Sequence, residues 1–98
     1  MDETKRYPEI SPQELIFMDI RHERERQDDK WGGIDHDKYH TVTDWKRLVI
    51  EHADKANEAA RRGDVRGARE RFVEVAALAV AALEMLDRIV VYTDTGNK

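Results

Sequence analysis

The chain contains no cysteine, so disulfide staples and thiolate metal ligands are both excluded. It has no excess of basic residues. The formal net charge is -4, which leaves no electrostatic footprint for nucleic acid. It also lacks an apolar stretch long and uncharged enough to span a bilayer. Asp2, Glu3, Lys5 and Arg6 do not make the basic-then-apolar pattern of a signal peptide, so a soluble, cytoplasmic protein with no nucleic-acid or membrane partner is expected.

What is present is a heavily charged surface around a modest core. The 98 residues are 40% apolar and 39% charged. One small domain spanning residues 1–98 is expected, with residues 1–10 and 93–98 as frayed tails. Chains of this composition often finish their core by associating with a second copy, so a homodimer or tetramer is the expected state.

The pattern predicts an all-α fold of about three helices. Ser11, Pro12 and Glu14 form a capping-box start for the first helix. Leu15, Met18 and His22 fall on one face, and the charged segment from Arg21 to Lys30 reads as a solvated arm or one that reaches a partner. Trp31-Gly32-Gly33 breaks the helix. The stretch from Ile34 to Val42 has no periodicity and reads as a loop. His36 and His40, with Asp35 and Asp37 nearby, have metal-ligand spacing only if helical, so a solvated loop is the plainer reading.

A second helix is expected from Thr43 or Asp44, with Trp45, Leu48, Val49, His52, Ala56, Ala59 and Ala60 on one side. Gly63 ends it, Asp64 caps a third, and the third runs from about Val65 to Val91, roughly 40 Å. From Phe72 to Leu83 the only charge is Glu74. A carboxylate beside a packed face must find a cation, a metal or water. Successive helical residues turn by about 100°. His52 and Lys55 on helix two and Arg71 and Glu74 on helix three are therefore the ionisable groups that meet between them. Glu51, Asp54 and Glu58 point away.

Two blocks resemble the MazG-like, all-α nucleoside triphosphate pyrophosphohydrolases, particularly their short phage and bacterial forms. Glu23-Arg24-Glu25-Arg26-Gln27-Asp28-Asp29-Lys30-Trp31-Gly32 is similar to an E-R-x-R-Q-x-x-K-W-G block ending the family's first helix. Trp45 to Ala60 and Arg69 to Leu86 resemble its W-x-x-x-L-x-E-E-x-x-E and E-L-x-x-V-A-A helices. The resemblance implies a MazG-like bundle. It also implies cleavage of a nucleoside triphosphate to monophosphate and pyrophosphate, with Mg²⁺ held by E-x-x-E and E-x-x-D acids. Carried over, Glu51 fits the first acid, His52 and Lys55 stand at the next two, Arg71 replaces the E of E-x-x-D, and Glu74 keeps the D position. A shift of one register would instead offer Glu51, Asp54, Glu70 and Glu74 as metal ligands, with Glu74 and Glu51 catalytic. The substitutions imply impaired or lost metal catalysis. The alternatives are a cationic pocket that binds nucleotide phosphates without cleavage, or a structural or regulatory homo-oligomer. The resemblance also puts Arg24, Gln27, Lys30 and Trp31 near a nucleotide or a neighbouring subunit. As plain structure, Trp31 and Trp45 are packing anchors.

Overall fold

The computed structural model describes residues 9–33 and 39–96, with side chains described up to residue 89. Three helices run in order: α1 (Pro12–Trp31), α2 (Val42–Arg61) and α3 (Val65–Gly96). No strand occurs among the described residues, so the fold class is all-α.

Each boundary has a local chemical cause. Ser11 Oγ accepts the Glu14 amide at 3.1 Å, and Pro12 takes a position that needs no amide donor. Gly32 ends α1 at φ 93°, a left-handed cap that returns its N–H to the Asp28 carbonyl at 2.8 Å. At the start of α2 the cap is Thr41, two or three residues earlier than expected. Thr41 Oγ1 accepts the Asp44 amide at 3.1 Å, and Asp44 Oδ2 accepts the Thr41 amide at 2.9 Å. Asp44 thus closes a reciprocal capping box rather than starting the helix. Gly63, at φ 81°, turns the chain between α2 and α3, and Asp64 caps α3 through the Gly67 amide at 2.8 Å. With no breaker before Gly96, α3 continues through the segment expected to fray from Thr93.

The core lies where α2 and α3 pack antiparallel, with Trp45 near Met85 and Ala59 near the start of α3. Trp45, Leu78, Ala81 and Met85 form its buried cluster, edged by Trp31, Leu48, Val49 and Ala82. The Trp45 indole donates to Met85 Sδ at 3.3 Å, which satisfies its one polar atom inside apolar surroundings. His40 stacks on the ring of Trp45, ring centres 4.7 Å apart.

Helix α1 packs along α3, and its charged end is solvated on one face only: Arg21, His22, Glu25, Arg26, Asp29 and Lys30 are exposed. Gln27 is buried and Arg24 nearly so. Arg24 bridges Asp28 on its own helix and Glu84 of α3, the latter at 3.2 Å. Arg69 of α3 reaches Asp19 at 2.8 Å. The helix is held by long polar stems as much as by apolar contact, so apolar periodicity alone understates its burial. Leu15 and Met18 remain exposed, as do Ile16 and Phe17. On α3, Phe72, Val80, Leu83 and Leu86 are exposed too, so this helix has an apolar face that neither neighbour covers.

Candidate functional site

Glu74 sits where all three helices come together. Its Oε1 accepts a hydrogen bond from Arg71, one turn earlier on α3, at 3.1 Å. His52 of α2 brings Nε2 to 3.9 Å from the same oxygen. His52 Nδ1 lies 2.9 Å from the Leu48 carbonyl. A carbonyl can only accept, so Nδ1 carries a proton there.

Helix α1 adds a second carboxylate. Glu23 receives Arg26 through two hydrogen bonds, Nε at 2.8 Å and Nη2 at 2.6 Å, in a bidentate fork. Gln27 Nε2 adds a third at 3.2 Å. The Arg26 hydrogen bonds hold the Glu23 carboxyl below its ordinary pKa against the opposing effect of burial. The charge on Arg26, the Gln27 bond and the nearby His52 act in the same direction. The same hydrogen bonds to Glu23 raise the pKa of Arg26 against desolvation, with the charges of Glu23 and then Glu74 adding to the effect. Glu23, Arg26, His52, Arg71 and Glu74 thus form one electrostatic network across the three helices.

Two grooves flank it. The first, about 440 Å³, lies between α1 and α3 and is bordered by Asp19, His22, Glu23, Arg26, Glu70 and Glu74. The second, about 460 Å³, lies between α2 and α3 and is bordered by Lys55, Glu58, Arg62, Glu70, Arg71 and Glu74. Glu70 and Glu74 belong to both. In the second groove Arg62 is turned toward Glu58 at 3.5 Å and Arg71 toward Glu74, while Asp64 is engaged as the cap of α3. Among the described residues Lys55 makes no ion pair, and it is exposed at the groove wall.

The positions singled out in the sequence separate into two sets. His52, Lys55, Arg71, Glu70 and Glu74 are brought together, and Gln27 lies beside them through Glu23. Glu51 and Asp54 are exposed on the outer side of α2 and line neither groove, whereas Glu58, expected to point away with them, lies a turn further on and borders the second groove. Arg24 is committed to Asp28 and Glu84, Lys30 lies 5.6 Å over the ring of Trp31, and Trp31 packs on the core. His36, Asp35 and Asp37 lie outside the described residues. Glu23 and Arg26 carry the α1 side of the network, yet sequence reasoning gave neither a role. Their signal was the E-R-x-R-Q block that contains both.

The donor set does not suit Mg²⁺. That ion asks for near-octahedral oxygen ligation, usually from carboxylates and water. Glu74 Oε1 is instead occupied by a guanidinium, Glu51 and Asp54 of α2 face away, and Glu58 is turned to Arg62. Among the described residues no three His, Asp or Glu side chains group closely enough to hold a metal ion. No family model matches the chain, and neither the curated proteins nor the solved structures provide a match.

Proposed function

We propose that this chain is a MazG-like nucleotide pyrophosphohydrolase relative in which metal-dependent cleavage is lost, and that it holds the phosphates of a nucleoside triphosphate in the groove between α2 and α3. The observation that carries this reading is the pairing of Glu74 with Arg71 at 3.1 Å, with His52 at 3.9 Å. On the resemblance, Arg71 replaces the first acid of the E-x-x-D pair, so Glu74 has a guanidinium for its neighbour in place of a second carboxylate. With Glu74 neutralised by Arg71, Lys55 is the unengaged cation at the groove wall, and an ammonium is a suitable point charge for a phosphate. Glu70 opposes it as an acid on both groove rims. Binding without a metal is therefore expected to be modest and salt-sensitive.

A second reading, a structural or regulatory homo-oligomer, draws on a different observation: the uncovered apolar face of α3. The two are compatible, since Phe72, Leu83 and Leu86 of the uncovered face line neither groove.

Purified protein incubated with the common nucleoside triphosphates and Mg²⁺ should release no pyrophosphate. The same nucleotides should raise the melting temperature in EDTA, and Lys55→Glu should abolish that rise while Glu70→Gln enlarges it. Mg²⁺-dependent turnover that disappears in Glu74→Ala would overturn the loss of catalysis. No thermal shift with any nucleotide would overturn nucleotide binding and leave the structural reading.

A further inference from the structure

Helix α3 is covered on two sides. Met85, Leu78 and Ala81 turn toward α2, while Val73 and Ala76 turn toward α1. On the remaining side Phe72, Ala79, Leu83 and Leu86 are exposed and, with Ala76 at the border toward α1, follow one another at intervals of four, three, four and three. This is the spacing of a helix-pairing seam, sustained over roughly 21 Å at 1.5 Å per residue. Phe72 and Leu83 are 58% and 57% exposed, so the seam has no partner among the described residues.

We infer that a second copy of this chain covers this face, the two α3 helices lying antiparallel about a two-fold axis between Ala77 and Leu78. The inference deepens the self-association in the reading above and does not depend on nucleotide binding. Three features select the occupant and its direction. First, the seam is self-complementary in the antiparallel register. Ala76 meets the partner's Ala79 at the centre, where small side chains permit close approach, and Phe72 meets the partner's Leu83 on either side. Second, the flanking charges match in that register. Arg66 and Asp87 are exposed, and neither has an ion pair among the described residues. The antiparallel pairing brings Arg66 beside the partner's Asp87, twice by symmetry. A parallel pairing places Asp87 against the partner's Ala82 and Phe72 against its own copy. Third, a knob has its hole. An apolar groove of about 170 Å³ lies beside the seam, walled by Ile16, Ile20, Phe72, Val73 and Ala76 with the stem of Arg69. In this register it lies next to the partner's Leu83.

Sedimentation equilibrium at micromolar concentration, without nucleotide, should return twice the 11.5 kDa chain mass. Leu83→Glu should return the single-chain mass with its helical circular dichroism retained, because that side chain stands in solvent within one copy. Asp87→Arg should weaken association about tenfold, and Arg66→Asp added to it should restore the dimer. The absence of native cysteine permits a direct test of register. Mixed Phe72→Cys and Leu83→Cys proteins should form the mixed disulfide, and neither should form a disulfide with its own kind. A wild-type protein of single-chain mass, a Leu83→Glu protein that stays dimeric, or disulfides between two Phe72→Cys copies would each overturn the inference. All these readouts are taken without nucleotide, so failure of nucleotide binding leaves them unmoved.

Discussion

Replacing Gln27 by methionine should stabilise the protein, although it removes a hydrogen bond. Gln27 is 1% exposed, and only half of its amide is satisfied. Its Nε2 donates to Glu23 at 3.2 Å, while its Oε1 is buried with no hydrogen-bond partner among the described residues. A buried acceptor left unpaired costs about 1–3 kcal/mol, whereas a typical hydrogen bond returns about 1 kcal/mol net. Glu23 does not become an orphan when the amide goes, because Arg26 still holds it through two bonds at 2.8 and 2.6 Å. Methionine nearly matches glutamine in volume and rotamer freedom, so the packing and entropy terms largely cancel. A gain of about 1 kcal/mol follows, or a melting temperature higher by ~4–8 °C for a domain of this size. The assay is thermal and urea unfolding by circular dichroism at fixed protein concentration, since association would shift both midpoints. Two companion variants isolate the cause. Gln27→Ala should destabilise, because it opens a cavity that methionine fills. Gln27→Glu should destabilise more at neutral pH, by setting a second buried carboxylate beside Glu23, and should recover in acid. A methionine variant less stable than the parent by about 1 kcal/mol or more would refute the reasoning, because a loss of that size requires a well-satisfied amide.

Two further outcomes follow from the same geometry. Because Glu23 has a lowered pKa in the folded protein, its stabilising contribution is full at neutral pH. That contribution is lost as pH falls below the ordinary carboxylate range, ~4, and through the depressed value. Glu23→Gln should therefore lower stability at pH 7 and flatten its acid dependence, as measured by urea midpoints between about pH 7 and 2; an unchanged acid slope would contradict the network. Leu78 is fully buried against Trp45, Ala81 and Met85, so Leu78→Ala should cost about 2–5 kcal/mol in urea unfolding. A cost below about 1 kcal/mol would mean that the cluster relaxes to fill the space.

The parts of this fold legible from sequence are those set by short-range geometry. Ser11, Pro12 and Glu14 announce the start of α1, and Gly63 with Asp64 announces the turn into α3, because each acts on backbone within one turn. The meeting of His52, Lys55, Arg71 and Glu74 was also legible, since a 100° step places them on facing sides of two helices. The start of α2 was harder. Thr41 and Asp44 are both good caps, and only their mutual hydrogen bonds decide which one stands outside the helix. The burial of α1 was least legible. A run of arginines, acids and a glutamine carries no apolar period, and only the position of Glu84, Arg69 and the core against it turns those stems inward. Glu23 and Arg26 entered the site by the same tertiary route.

Arg71 and Glu74 stand one turn apart on an unbroken helix, on the wall of one groove. An exchange at a single codon, Arg71→Glu, would leave two carboxylates at the spacing now held by a cation and its counterion, with no backbone atom required to move. A helix of this kind is a scaffold on which preference for a cation or for an anion is heritable almost independently of the fold.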